Sequence, residues 1–427
     1  MATTYLSKTL GTPTNNIKWT WSTWIKRSKI TGSAQRIFYA ENGAGSNYTT
    51  IQFDDEQYLV WFNENGGTDM QLKTSRQFRD TNAWMNLVFV YDSANATAAD
   101  RQIIYVNGER QTAFLDENTA GSSVTTAINQ AVVHNIASGP GAANFYDGSM
   151  SQIHFIDGTA YPATAFGSVN ATSGIWVANT SPTVTYGNNG FFLDMANSSD
   201  MGNDVSGNAN DFTVGGGTVT QMEDTPDNNF ATLNPLNNTQ GATLSNGNTK
   251  AVNLQNDKYY TSTIAMSSGK YYWEVKPTTI GNRNGVGVTN VSRNFNSNSL
   301  SGTNYGYIQL GNNTAETNGT HTGTVPTISN DNIVCYAFDS STNILYYSVD
   351  ANLNTASANK FTLASDEYII FCKEDGGTVG TNEFNFGNGY FGTTAVSSAG
   401  TNASSNGIFE YDVPTGYTAL STKGLNL

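Results

Sequence analysis

Two carboxylates spaced i, i+2 on a strand share a face, and retaining glycoside hydrolysis needs two carboxyls roughly 5 Å apart. The chain holds one Glu-x-Asp, Glu410-Tyr411-Asp412, and Val413-Pro414-Thr415 follow where a further acid would be needed. That pair does not amount to a catalytic set. His134, His154 and His321 are far apart and lack a His-Glu-x-x-His spacing, so no zinc motif appears; His154, within Gln-Ile-His-Phe-Ile, reads as a packed or edge strand residue. There is no Gly-x-Ser-x-Gly elbow, and Gly215-Gly216-Gly217 precedes no helical pattern that would make a phosphate loop. Cys335 and Cys372 read as buried, unpaired thiols. Asp194 to Asp211, ending in Asp204-Val205-Ser206-Gly207-Asn208-Ala209-Asn210-Asp211, clusters oxygens that could hold Ca²⁺, but without EF-hand or Gly-Gly-x-Gly-x-Asp spacing. Asx turns account for the same residues. Tyr48, Tyr58, Trp61 and Tyr146 would stack on sugar rings if they projected from a sheet face, core packing being the commoner fate of a strand aromatic. No catalytic, metal-binding or cofactor-binding residue is assigned, no cofactor is expected, and the ligand-binding residues stay open.

The elements that would position such residues are strands. Asn82 to Gly108 reads as a hairpin, with Trp84 to Tyr91 and Ile103 to Val106 as its apolar arms. Asn107-Gly108 suits a type I′ turn, which predicts a third strand near Glu109. A second hairpin pairs Asn332 to Phe338 with Ile344 to Val349 across Ser340 to Asn343, followed by a turn at Asp350-Ala351-Asn352. Two such hairpins predict two modules. Asn16 to Arg27 alternates, with Ile17, Trp19 and Trp21 opposite Lys18, Thr20 and Ser22, and a bulge is expected where the phase changes at Thr23-Trp24. Arg36 to Tyr39, Tyr48 to Phe53, Gln57 to Phe62, Met70 to Leu72 and Gly148 to Ile156 are further strands. Residues up to about Thr14 read as a polar arm, and Lys26-Arg27-Ser28-Lys29 as the solvated end of a strand.

At 427 residues the chain exceeds what one core usually serves. Aromatic residues make up 12%, charged residues only 13%, and Gly occurs 42 times, with no long amphipathic helical pattern, so the class is all-β. A net charge of -14 argues against nucleic acid or an anionic membrane as partner. No apolar run is long enough to span a bilayer, and Met-Ala-Thr-Thr-Tyr-Leu-Ser-Lys lacks a signal-peptide pattern, so synthesis in the cytoplasm and release by lysis are expected.

Trp19 to Arg27, Ala83 through Gly108, and Tyr146-Asp147-Gly148 through His154-Phe155-Ile156-Asp157-Gly158 resemble the laminin-G-like, concanavalin A-like jelly roll. The form found in virion structural proteins of tailed phages, of the marine-phage type, is more similar still. It has counterparts of Phe166-Gly167, Gly174-Ile175-Trp176-Val177, Tyr186 to Phe191 and Asp224 to Pro235. Gly269 to Val275, Asn284 to Val288, Asn304 to Tyr307, the hairpin Asp331 to Asn352, Phe384 to Gly387 and Pro414 to Tyr417 occur in the order of SPRY domains, except that the usual Asn-Gly after the hairpin reads Asp350-Ala351-Asn352. SPRY domains bind partners through variable loops, so no binding residue carries over.

The expected architecture is two concanavalin A-like, jelly-roll β-sandwich modules: a laminin-G-like module over 1–170, an Asn- and Gly-rich bridging region over 171–250, and a SPRY-like sandwich over 251–427. The resemblance implies a non-enzymatic virion surface protein, as a tail fibre, appendage or capsid decoration. Its partners would be other virion proteins and host cell-surface glycans, with the chain assembled as a homo-oligomer, expected to be a trimer, and with no nucleic acid bound and no membrane insertion. The rival readings are an extracellular glycan-active enzyme, which would need paired carboxylates in a cleft, and an intracellular SPRY interaction module.

Overall fold

The computed structural model describes residues 3–30, 32–43, 47–238, 243–254, 258–293, 304–318, 320–356, 359–374 and 376–426. These residues form β-strands joined by turns, with three one-turn 3-10 helices among them. The chain divides into two compact units, Met1–Gln221 and Met222–Leu427.

In the first unit an eight-stranded sheet runs, in spatial order, Phe114–Asn118, Thr68–Gln77, Tyr58–Asn65, Asn47–Phe53, Gln35–Glu41, Val133–Ile136, Tyr5–Thr9 and Thr213–Gly215. A six-stranded sheet runs Phe191–Leu193, Gly148–Asp157, Lys18–Arg27, Met85–Asp92, Gln102–Val106 and Glu109–Arg110. Between them Trp21 stacks on Phe38 at 4.8 Å, Trp19 on Tyr91 at 5.4 Å, and Trp61 meets Phe89 edge-on at 5.6 Å. Each such pair adds about 0.5–1.5 kcal/mol beyond the apolar area it buries. Asn107 and Gly108 have φ of 49° and 79°, the left-handed values a type I′ turn needs, and the expected strand follows at Glu109–Arg110.

Three sequence expectations for this unit need correction. The segment before Thr14 is not a free arm: Tyr5–Thr9 lies between Val133–Ile136 and Thr213–Gly215, with Leu6 and Leu10 buried. Alternation in Lys18–Arg27 is unbroken, and Trp19, Trp21 and Ile25 all enter the core. The irregularity sits on the facing strand, where register shifts between Ser151 and His154 and Gln152 takes φ 49°. Arg27 is fully buried, and Lys26 and Ser28 are buried beside it. The Arg27 guanidinium donates to the carbonyl oxygens of Phe78 and Lys29 and to the side-chain amides of Gln35 and Gln57, above the Phe53 ring at 4.1 Å. A long side chain finds enough acceptors inside to leave water, and burial lowers its pKa to about 10.

The stretch expected to bridge the modules is divided between the two units. Phe191–Leu193 pairs with Gly148–Asp157, and Thr213–Gly215 with Tyr5–Thr9. The Asp224 to Pro235 motif lies in the second unit, where Ala231 N–H donates to the Leu420 carbonyl and Leu233–Asn238 pairs with Lys258–Met266. Scattered apolar residues such as Phe191, Phe212, Phe230 and Leu233 are buried, which is why the stretch packs instead of linking.

In the second unit one sheet runs Leu233–Asn238, Lys258–Met266, Tyr368–Glu374, Asn284–Asn290, Tyr305–Gln309, Thr314–Thr317 and Thr320–Thr324. The other runs Thr243–Ser245, Lys250–Leu254, Gly380–Asn385, Lys270–Thr279, Val334–Asp339, Ile344–Val349 and Lys360–Thr362, with Thr418–Ala419 parallel to Lys270–Thr279. Trp273 stacks on Tyr336 at 5.3 Å, and Asn284 and Asn382 exchange amide hydrogen bonds of 3.0 and 2.8 Å from one sheet to the other. The architecture is thus all-β, built from jelly-roll sandwiches.

Candidate functional site

Residues 160–186 close the outer face of the six-stranded sheet, where Val88, Val90, Ile156, Ala163 and Phe166 pack with Trp176 and Tyr186. The outer face of the eight-stranded sheet is the candidate surface of the first unit. Register places Asn135 beside Tyr39, Tyr39 beside Thr50, Thr50 beside Phe62 and Phe62 beside Gln71, so these side chains form one row across five strands. Tyr48 lies one step along, 5.7 Å from the Tyr39 ring and 5.5 Å from that of Phe62. Tyr48 and Phe62 are half-buried and Tyr39 is buried. The Arg36 guanidinium lies over the Tyr39 and Tyr48 rings at 4.7 and 5.4 Å. The Tyr39 hydroxyl donates to Glu41 at 2.7 Å; burial first, then that carboxylate, raises the phenol pKa.

Four residues from Phe62 along its strand, about 13 Å away at the usual strand rise, Tyr58 carries a second cation, with Lys73 Nζ 4.8 Å from its ring. Lys73 is fixed by Asp54 at 2.8 Å and Glu56 at 3.2 Å, and the Asp54 contact is the main cause of its raised pKa. Two half-exposed aromatic stations flanked by fixed cations form a face that can stack on sugar rings and donate hydrogen bonds.

Of the four aromatics singled out from sequence, Tyr48 and Tyr58 stand on this face. Trp61 and Tyr146 do not: Trp61 is core, 5.3 Å from Trp19, and Tyr146 is buried, its pKa raised by desolvation. Tyr39, Phe62, Arg36 and Asn135 were missed. Alternation alone would have put Phe62 with Tyr58, whereas the place of Arg36 depends on the 137–145 loop, which no local pattern reveals.

The other candidates are occupied structurally. Glu410 accepts from the backbone N–H and hydroxyl of Ser397, and Asp412 from those of Thr401 and from Asn352, so the pair anchors turns. Asp204 accepts from the N–H groups of Phe192, Ser206 and Asn210 and from the Ser206 hydroxyl, at 2.8–2.9 Å. Oxygens facing that many donors are arranged for turns and not for a cation.

Buried His134 receives the Asn129 N–H at Nε2 and donates from Nδ1 to the Val132 carbonyl, and burial lowers its pKa to about 4. His154 stacks on Phe192 at 4.0 Å, with a pKa lowered to about 3 by burial. His321 lies in strand Thr320–Thr324, with its side chain outside the described residues. Cys335 and Cys372 are free and buried. Among the described residues no group of three or more His, Cys, Asp or Glu is arranged to hold a metal.

Two buried carboxylates went unseen in the sequence. Asp157 accepts from the backbone N–H groups of Thr14, Asn15 and Asn189 and from Asn129 Nδ2, at 2.6–3.1 Å. Glu274 accepts from the Tyr272 hydroxyl, Asn385 Nδ2 and the N–H groups of Glu410 and Tyr411. Desolvation outweighs these four donors and raises the Glu274 pKa to about 7.

Residues 3–164 match the concanavalin A-like lectin/glucanases superfamily in its laminin G form. No curated protein matches the chain in sequence. Among solved structures, the SPRY domain of human HERC1 is 12% identical, with a TM-score of 0.28 over 36% of this chain and 96% of that one. Domains LG4-5 of the mouse laminin alpha1 chain are 10% identical, with a TM-score of 0.29 over 86% of this chain and 78% of that one. A heptameric SAP-like pentraxin from Limulus polyphemus is 14% identical, with a TM-score of 0.30 over 42% and 86%.

Proposed function

We propose that the chain is a non-enzymatic glycan-binding protein displayed on the surface of a tailed-phage particle, with the outer face of the eight-stranded sheet as its sugar-binding surface. The observation that carries the binding reading is the half-exposed Tyr48 and Phe62 pair beside Arg36, with Tyr58 and Lys73 as a second station on the same face. The lectin-type match over residues 3–164 supports it. The non-enzymatic reading is supported by the donors that saturate Glu410 and Asp412. The virion assignment rests on the sequence resemblance. The second unit would contribute contacts to other virion proteins.

Two experiments test this reading. An oligosaccharide array probed with the full chain is expected to show binding that Phe62→Ala weakens, and turnover of any bound glycan would contradict the non-enzymatic role. Mass spectrometry of purified particles should find the chain, and its absence would sink the virion assignment.

A further inference from the structure

Beside the Tyr39 and Tyr48 rings lies a polar group, several of whose atoms lack partners among the described residues. Arg36 Nε and Nη1, Asn135 Oδ1 and Ser138 Oγ are all shielded from solvent without a hydrogen-bond partner among the described residues. Asn135 is 9% exposed and Ser138 0%. They belong together: Asn135 Nδ2 donates to the Gly139 carbonyl at 3.3 Å, Ser138 precedes Gly139, and the Arg36 side chain lies against Gly139. A Cβ at position 139 would come within 2.7 Å of Arg36 Cδ and 2.8 Å of Nη1, so glycine gives the guanidinium its place. Arg36 keeps part of its surface in solvent, and Glu41 on the same strand accepts from the Tyr39 hydroxyl. Among the described residues the Arg36 cation has no salt-bridged carboxylate, and it stands at the rim of the aromatic station.

We infer that this group is a carboxylate-reading subsite, and that the glycan held on Tyr48 and Phe62 is an acidic one, bearing a uronate or sialate-type carboxyl that Arg36 receives. The inference rests on the glycan-binding reading of the same face. A planar cation that keeps part of its surface open suits a carboxylate better than a sugar hydroxyl, because charge-assisted bonds are roughly twice as strong as neutral ones. The chain's net charge of -14 opposes long polyanions, so a short oligosaccharide or a chain end is the ligand to expect.

The test is calorimetric titration of the full chain with oligogalacturonate, oligoglucuronate, alginate oligomers and sialyllactose, each beside its carboxyl-reduced partner. At least one acidic member should bind about tenfold or more tightly than its reduced form, the worth of a charge-assisted hydrogen bond. Arg36→Gln should erase that preference, so that acidic and reduced members bind it alike, and thermal unfolding of the variant is the check that it folds. Asn135→Asp, which places an anion beside Arg36, should erase it independently. Equal affinity for acidic and reduced members would overturn the carboxylate reading and leave glycan binding standing. Binding to none of them would overturn the carboxylate reading too, and absence of binding across the wider array as well would overturn the glycan reading itself.

Discussion

Asp157 ties four separated segments together with one side chain, accepting from Thr14, Asn15, Asn129 and Asn189. Asp157→Asn keeps the shape but turns a donor toward donors, and should cost about 2–4 kcal/mol by denaturant titration, since buried donors lose a charged acceptor. The histidines give the first unit a pH response. Unfolded, each takes a proton near pH 6.5, whereas folded His134 and His154 resist until about 4 and 3. Their depressed values mean that the stability they preserve is present above pH 6.5 and lost as pH falls. Each should account for about 3 kcal/mol by pH 4. Glu274 has the opposite sign: raised to about 7, its contribution is present below pH 4.5 and lost as pH rises through 7. Tryptophan fluorescence separates the two, because Trp273 alone lies in the second unit. Between pH 7 and 5, unfolding followed by fluorescence should shift to lower denaturant more than unfolding of the second unit does. His154 was legible as a strand residue, packed or at an edge, and it is packed. Arg27 was not, because Lys-Arg-Ser-Lys looks solvated until Gln35, Gln57 and Phe78 are folded around it.

Among the elements, the hairpin Gly167–Val169 with Trp176–Ala178 shows how a short piece is held. The Trp176 indole packs on Gly108, donates from Nε1 to Asn86 Oδ1 at 3.1 Å, and so fastens this hairpin to the type I′ turn at Asn107-Gly108. Gly108→Ala meets both a φ of +79° and ring atoms within 2.4–2.8 Å of the new Cβ. It should destabilise by about 1–3 kcal/mol, more than Ala at the open, exposed Gly67, as measured by thermal unfolding of the two variants. The turn and its strands were readable from Asn-Gly and apolar alternation. The bulge was misplaced because Gln152, on the facing strand, breaks register while Lys18–Arg27 continues straight. Which outer face stays open could not be read locally, since it depends on residues 160–186 returning over Val88 and Val90.

In the molecule as a whole, two repeated hairpins announced two sandwiches, but the boundary was blurred by the low-charge stretch 171–250. Its isolated Phe and Leu residues pack into one unit or the other, and the division falls between Gln221 and Met222. Limited proteolysis should cut first near 216–223, where the chain is exposed or half-buried, and not inside Asn82 to Gly108. Assembly into a trimer would have to use sheet edges, because Tyr5–Thr9 is already paired on both sides. Light scattering should then give a mass near three times 45.8 kDa, and a monomer mass would contradict self-assembly. The most direct measurement is the affinity of the full chain and of Tyr48→Ala for the oligosaccharide that binds best on the array. Loss of a stacking ring on the open face should weaken binding about tenfold or more, in line with aromatic contacts of about 0.5–1.5 kcal/mol plus the lost area, in a variant that unfolds at lower denaturant because the Tyr39 and Phe62 ring contacts are lost but that is folded under the binding conditions. Equal affinity in the two proteins would contradict the assignment of this face as the sugar-binding surface.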